Sequence, residues 1–170
     1  MSEEVERTDD GHHIVVDGRK WRATNPNIPD PLRTELVREL MAARRAVKHS
    51  KGDDAAIAAA RRRVGHAKVA LGERGEPWWE PATEAGLRQR IESAIQALLR
   101  ARNETSSICP SDAARIVGSP DWRPLMDTVR SVGSAMAGDG LIRITQAGEP
   151  IDDPSNTTGP LRYRLATEDS

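Results

Sequence analysis

Hydrophobic and polar residues alternate near the start of the chain, where two short runs flank an Asp-Gly pair. Residues 12–16 and 19–24 each have the pattern of a strand, and Asp17-Gly18 favours a two-residue turn, because glycine tolerates a positive φ at low cost. The pattern predicts a β-hairpin in which Ile14 faces Trp21. An isolated hairpin is marginal in water, so we expect these two side chains to pack onto the helices that follow.

Further along, apolar residues recur at spacings of three and four, which is the period of an α-helix. The first helical pattern covers 31–49 and the second covers 55–71, with a polar, glycine-containing stretch between them. Gly72 and Pro77 stop the second helix. Two apolar stripes joined by a short turn predict an antiparallel helical hairpin.

Two adjacent tryptophans, Trp78 and Trp79, follow these helices in a chain with only 3% aromatic residues. Large aromatic side chains dominate burial in small domains. We therefore expect the pair either to close the N-terminal core against Trp21 or to form a contact surface for a protein partner. Residues 81–86 then have the composition of a linker.

Three helical patterns and then two strand-like runs fill the second half of the chain. Apolar residues at helical spacing cover 87–102, 110–118 and 122–139. The strand-like runs 141–145 and 161–165 are joined by a loop rich in Gly, Pro, Asp and Asn. Three helices, the second pair across a tight turn, followed by a two-stranded wing, are the order of a winged helix-turn-helix domain.

Together these patterns predict a mainly α protein with small β elements. Phe is absent, so the core has to be built from Ala, Leu, Ile and Val. Gly133 lies on the apolar face of the third predicted helix of the second half, where glycine lowers helix stability unless a neighbouring backbone packs close. The predicted units are a disordered acidic N-terminus (1–11), a β-hairpin plus basic helical hairpin (12–80), a linker (81–86), a winged helix-turn-helix domain (87–166) and a tail (167–170).

Short motifs in both halves resemble those of known families. In the second half they are Cys109-Pro110-Ser111-Asp112-Ala113-Ala114, Trp122-Arg123-Pro124-Leu125-Met126, Val129-Arg130, Gly140-Leu141-Ile142 and Gly159-Pro160-Leu161-Arg162. They resemble a family of small bacterial winged-helix domains of unknown function, which implies the fold and no activity. In the first half the motifs are Gly-Arg-x-Trp-Arg-Ala (18–23), Leu-Met-Ala-Ala-Arg-Arg (40–45), Ala-Lys-Val-Ala-Leu-Gly (67–72) and Pro-Trp-Trp (77–79). They are similar to short bacterial proteins of unknown function, some of which are labelled as the biopolymer transporter Tol.

Composition favours a cytoplasmic protein with no membrane segment. A bilayer-spanning helix needs about 20 apolar residues, and no run of that length is present. No signal-peptide pattern opens the chain, and the single cysteine indicates a reducing compartment.

Charge is unevenly distributed along the chain. Residues 19–74 hold 14 Lys and Arg against 6 Asp and Glu, although the formal net charge of the chain is −1. This segregation favours a basic surface for an anionic partner, and solvated helix faces explain it equally well. The cations of the helical hairpin that form this candidate surface are Arg44, Arg45, Lys48, Arg61, Arg62, Arg63 and Lys68.

The third helix of a winged helix usually enters the major groove of DNA, with outward side chains near its start reading base edges. Five residues point outward on this helix at helical spacing, namely Arg123, Asp127, Arg130, Ser131 and Ser134, and all but Asp127 are candidates for contact with nucleic acid. A surface ion-pair ladder through Asp127 explains the two arginines without DNA. The other candidate nucleic-acid-binding residues are Arg162 and Arg164 on the last strand and Arg61, Arg62 and Arg63 in the helical hairpin.

The predicted wing weakens the case for DNA. Between residues 144 and 161 there is no Lys or Arg, whereas Glu149, Asp152 and Asp153 are acidic. Counterion release from phosphates supplies much of the affinity for DNA, so an acidic wing favours protein contact or an altered docking mode.

Catalysis has little support in the sequence. The four histidines have no metal-ligand spacing with Cys109, and no phosphate-binding loop, dinucleotide fingerprint or serine elbow is present. Cys109 precedes a proline at a helix start, where we expect a small buried residue rather than a nucleophile. We therefore expect no enzymatic activity and no cofactor or metal.

These observations lead to three functional hypotheses. The first is a non-enzymatic protein that binds nucleic acid, double-stranded DNA above all, as a small bacterial regulator. The alternative is a protein–protein interaction adaptor that uses the winged helix and the Trp78-Trp79 region. The third is a homodimer in which two helical hairpins pair into a four-helix bundle.

Overall fold

The computed structural model describes residues 5–103, 106–154 and 157–166. Helices dominate, and two small antiparallel sheets flank them, as the sequence predicted. The elements are β1 (Glu6–Arg7), β2 (His13–Val16), β3 (Arg19–Arg22), α1 (Asp30–His49), α2 (Asp54–Ala70), α3 (Glu84–Ala101), α4 (Pro110–Gly118), a 3-10 turn (Arg123–Leu125), α5 (Met126–Gly138), β4 (Ile142–Gln146), β5 (Glu149–Pro150) and β6 (Arg162–Leu165).

The predicted β-hairpin is confirmed in its register. Ile14 pairs with Trp21 across β2 and β3, and Asp17 and Gly18 both have positive φ, at 51° and 76°. Both values suit a turn whose twist matches that of the flanking strands.

The first sheet has one strand that the sequence did not predict. β1 pairs with β2, so residues 6–7 are ordered within the range 1–11 that we predicted to be disordered. Thr8 supports this pairing, because its backbone N–H donates to the carbonyl of His13 at 3.0 Å. The residues of β1 are exposed and held by backbone hydrogen bonds, which leave no hydrophobic period in the sequence. Residues 1–4 and 167–170 lie outside the described residues.

Helices α1 and α2 pack against each other across a short turn, as an antiparallel pair. Leu36 and Ala43 of α1 and Ala67 of α2 are fully buried. The side chain of Asp53 accepts a hydrogen bond from the backbone N–H of Ala56 at 3.0 Å and so caps the start of α2.

Helix α3 occupies the centre of the molecule and contacts α1, α2, α4, α5 and β6. It begins at Glu84, where the hydroxyl of Thr83 accepts from the backbone N–H of Gly86 at 3.0 Å. The carboxylate of Glu76 in turn accepts from the backbone N–H of Thr83 at 2.8 Å. The range 81–86, which we predicted to be a linker, therefore contains the capped first turn of α3. The sequence prediction missed this turn because it did not take Thr83 as a helix cap.

The second half adds two further helices and a sheet of order β5-β4-β6. Ile108 forms an isolated bridge to Tyr163 of β6, so a short extended segment between α3 and α4 adjoins this sheet. Tyr163 is fully buried beneath α5. One continuous cluster of buried residues runs from Ile28 to Leu165.

Candidate nucleic-acid interface

The outward face of α5 is largely engaged in contacts within the chain. Arg130 donates from its guanidinium to the carbonyl oxygen of Gly159 at 2.7 Å and so ties α5 to the loop before β6. The hydroxyl of Ser134 donates to the carbonyl of Arg130 at 3.0 Å. Ser131 is exposed, and it lines a shallow cleft with the loop residues Pro154 and Thr157. The chain's own loop therefore approaches the face that would read bases.

Arg123 lies in the 3-10 turn before α5 and is exposed. Its guanidinium carbon is 4.7 Å from the ring centroid of Trp122, and that of Arg115 is 4.9 Å from the same ring. Within the described residues, neither Arg123 nor Arg130 forms an ion pair with Asp127, so the predicted ladder is not formed. The charge of Arg123 remains available to an anion.

The two candidate arginines of the last strand, Arg162 and Arg164, lie on β6. Arg162 donates from Nε to the hydroxyl of Ser107 at 2.9 Å and from its terminal nitrogen to the carbonyl of Ser107 at 3.0 Å. Arg164 is the register partner of Arg143 across β4 and β6. The acidic residues Glu149 and Asp152 of the connecting loop are exposed.

The three consecutive arginines of α2 have different environments. Arg63 forms a bidentate pair with Glu39 of α1, at 2.8 Å from Nε and 3.1 Å from the terminal nitrogen. Glu39 is buried, and its hydrogen bonds raise the pKa of the Arg63 guanidinium. Arg61 and Arg62 are exposed, and no acidic residue in the described part of the chain pairs with them.

A basic cleft opens where α2 faces α3. Arg62 and His66 stand one turn apart on α2, and Gln96 and Arg100 stand one turn apart on α3. The cleft has a volume of about 600 Å³, and Leu141 lies at its edge. The rest of the lining consists of small alanine side chains of α1 and α2, Ser50, and Arg63, which pairs with Glu39.

Electrostatics shows that the cationic groups of the basic cleft converge. Burial lowers the pKa of His66, and the charges of Arg100 and Arg62 lower it further, against smaller opposing effects of Glu92 and Glu39. Arg100 is exposed and, like Arg62, has no acidic partner among the described residues. Two guanidiniums that repel a proton from one imidazole would attract an anion to the same place.

The residues of α3 in this cleft were missed in the sequence. Arg100 and Gln96 are separated from Arg62 by more than thirty positions, and nothing in their spacing indicates that the two helices meet there. The polar face of α3 was a visible signal, but only the packing of α2 on α3 brings it beside the basic hairpin.

Trp78 and Trp79 close the N-terminal part of the molecule. The indole N–H of Trp78 donates to the carbonyl of Ala23 at 3.0 Å, and the ring of Trp79 stacks on His12 with centroids 4.1 Å apart. The two tryptophan rings meet edge to face at 5.3 Å. Their partners are thus His12 and Ala23, whereas Trp21, which we expected them to meet, lies in a separate groove beside α1.

Comparison with known proteins gives a family match for the second half of the chain. Residues 88–166 match the model of a family described as "Protein of unknown function (DUF3253)". The match begins within α3 and ends just after β6. No curated protein matches the chain.

Two further properties concern the described residues alone. None of their helices combines the length and the apolar character that crossing a bilayer requires. Their His, Cys, Asp and Glu side chains form no group of three that could hold a metal ion.

Proposed function

We propose that this chain is a non-enzymatic winged-helix protein that binds double-stranded DNA. The basic cleft carries the proposal, because two of its lining residues, Arg62 and Arg100, are exposed guanidiniums with no acidic partner in the described residues, and Arg61, next to Arg62 in sequence, is a third. Surfaces of this kind supply the non-specific part of DNA affinity by neutralising backbone phosphates.

The winged-helix interpretation rests on the order and pairing of the elements. α3, α4 and α5 follow one another, the 3-10 turn separates the last two, and β4 and β6 form an antiparallel pair behind them. The bridge from Ile108 to Tyr163 adds the short first strand that such domains place between their first two helices.

The contacts of α5 favour a docking mode in which this helix does not make the main contacts with DNA, unlike the usual insertion of the third helix into the major groove. Arg130 is tied to Gly159, and the acidic loop lies beside the same helix, so the positive charge on this face is mostly limited to Arg123. We therefore assign the main phosphate contacts to Arg62 and Arg100, with Arg61 beside them, and an auxiliary contact to Arg123.

A paired substitution tests this assignment. In fluorescence anisotropy titrations with a labelled random-sequence duplex, Arg62→Gln with Arg100→Gln is expected to lower affinity by about tenfold or more at moderate salt, because two phosphate contacts are lost. The matched control is Arg33→Gln with Arg88→Gln, which removes the same charge from two surface pairs, with Asp30 and Glu92. Equal losses in both double variants would remove the basic cleft from the interface.

The adaptor alternative loses its proposed contact surface at Trp78 and Trp79. Both rings are half-buried and are satisfied by Ala23, His12 and each other. The homodimer alternative has less support, since Leu36 and Leu40 of α1 and Ala67 of α2 are buried in the core of the same chain.

A further inference from the structure

Exposed apolar side chains concentrate in one groove beside the N-terminal sheet. Of the six large hydrophobic residues that are exposed in the described part of the chain, four line this groove. They are Val16 (43% exposed), Trp21 (41%), Val37 (37%) and Met41 (40%). Single exposed apolar residues are ordinary, whereas a contiguous set marks a binding surface.

The groove lies between the face of the β2–β3 hairpin and helix α1, and we call it the Trp21 groove. Ile14 and Leu40 line it with the four exposed residues, and its volume is about 450 Å³. We expected Ile14 and Trp21 of the hairpin to pack onto the helices. Both side chains face α1 across the groove, and Trp21 remains 41% exposed.

Positive charge surrounds the Trp21 groove. The guanidinium carbon of Arg19 is 4.4 Å from the centroid of the Trp21 ring, and the ammonium of Lys68 is 5.8 Å from it. Arg44 also lines the groove. Burial lowers the pKa of Lys68, and the charges of Arg74 and Arg44 lower it further, so several cations converge here.

The one acidic residue that lines the groove, Glu73, offsets part of this charge and raises the pKa of Lys68, but Arg22, Arg44 and Lys68 leave the lining with a net positive charge. Glu73 accepts a hydrogen bond from the hydroxyl of Thr24 at 2.8 Å. An occupant must therefore bring both apolar side chains for the groove and negative charges for its rim. A basic segment would meet Arg19, Arg44 and Lys68 and be repelled.

We propose that the Trp21 groove docks an acidic amphipathic segment of a partner protein. Its apolar side chains insert beside Trp21 and Met41, and its carboxylates face Arg44 and Lys68. Trp and Arg are the residues that most often dominate such interfaces. The site shares no residue with the basic cleft, so the proposal stands independently of DNA binding.

Selection from a random-peptide library on the purified full-length chain tests the proposal. Enriched peptides are expected to combine Leu, Ile, Phe or Trp with Asp or Glu. The same peptides with each Asp and Glu replaced by lysine are expected to bind at least about tenfold more weakly. Met41→Glu should abolish binding of the selected peptides, because it buries a like charge against them. Ala58→Glu, at an exposed position of α2 that lines neither the groove nor the basic cleft, is the matched control and should bind as the parent does.

A second variant changes only the charge of the groove, so that weaker binding can be told apart from misfolding. Arg44→Gln keeps the apolar lining and should weaken the acidic peptides several-fold, with an unchanged circular dichroism spectrum. The proposal is overturned if no peptide is enriched, if the enriched peptides are not acidic, or if Met41→Glu and Ala58→Glu bind them equally. A concentration-dependent dimer that Met41→Glu dissociates would assign the groove to a second copy of the chain and also overturn it.

Discussion

Gly133 lies in the middle of α5, directly against the ring and hydroxyl of Tyr163. A methyl group at this position would overlap that ring, which is fully buried and cannot move toward solvent. Sequence reasoning required a close backbone to justify this glycine, and the structure provides a buried aromatic side chain instead. The identity of the neighbour depends on a strand 30 residues further along, so no local pattern could have shown it.

Replacing Gly133 should therefore destabilise the protein despite the gain in helix propensity. We expect Gly133→Ala to lower the free energy of unfolding by about 2 kcal/mol through overpacking. Gly138→Ala, at a position of α5 with open space around it, should raise it by up to about 1 kcal/mol. Urea denaturation of both variants measures the difference. If Gly133→Ala were stabilised as well, the side chain of Tyr163 would have shifted to make room for the methyl group.

Tyr163 makes folding sensitive to alkaline pH. Burial raises the pKa of its hydroxyl to about 12, so the unfolded chain releases this proton at lower pH than the folded chain does. Stability is therefore complete below about pH 10 and falls as the pH rises toward 12, by roughly 2 kcal/mol in all. The hydroxyl has no hydrogen-bond partner among the described residues, so Tyr163→Phe should fold without penalty and lose this part of the alkaline decline. Urea midpoints measured over this pH range follow the decline. An identical decline in the wild-type protein and in Tyr163→Phe would refute the prediction.

His66 makes folding sensitive to acid. Its pKa is lowered by burial and by Arg100 and Arg62, so below about pH 6.5 the unfolded chain binds a proton that the folded chain resists. The stability is lost as the pH falls through this range. His66→Gln should flatten the dependence of the urea midpoint on pH between about 7.5 and 5.5. His49→Gln, at an exposed position on α1, is the matched control and should retain the wild-type slope.

At the level of elements, the pairing of α1 with α2 depends on one buried carboxylate. Glu39 is buried, and Arg63 donates one hydrogen bond to each of its two carboxylate oxygens. Removing one partner leaves the other charge uncompensated, which is more damaging than replacing both with apolar residues.

We therefore expect Arg63→Met to lower the free energy of unfolding by about 3 kcal/mol and Glu39→Met with Arg63→Met to recover most of it. Arg62→Met, next in sequence but exposed, should change it by less than about 0.5 kcal/mol. Chemical denaturation of the three variants gives the comparison. Equal losses in the single and double variants would mean that packing, and not charge, holds the two helices together here.

Elements with a strong hydrophobic period were predictable, and those held by backbone or capping contacts were not. The hairpin register and the helices of both halves followed from alternation and from spacings of three and four. β1 and the first turn of α3 depend on hydrogen bonds of Thr8, Thr83 and Glu76, which leave no periodic trace. The candidate site was predictable in half, because Arg61 and Arg62 were visible as a basic run while Arg100 became relevant only through packing.

At the scale of the whole molecule, α3 joins the basic hairpin to the proposed winged helix. Arg102 at its end pairs with Glu35 of α1 at 2.8 Å and with Asp112 of α4 at 3.1 Å. The basic cleft lies along the same helix, between α2 and the turn that precedes β4. A duplex held by the basic cleft would thus be positioned relative to α5 by packed helices, and the positive charge need not lie on the reading helix itself.

The salt dependence of duplex binding is the sharpest test of DNA binding by the basic cleft. With a labelled random-sequence duplex and salt varied between about 50 and 200 mM, we expect log K to fall linearly with log salt. Three phosphate contacts, from Arg61, Arg62 and Arg100, correspond to a slope of about −2.7. Binding that is absent at about 50 mM salt, or that does not change with salt, would contradict DNA binding by this surface.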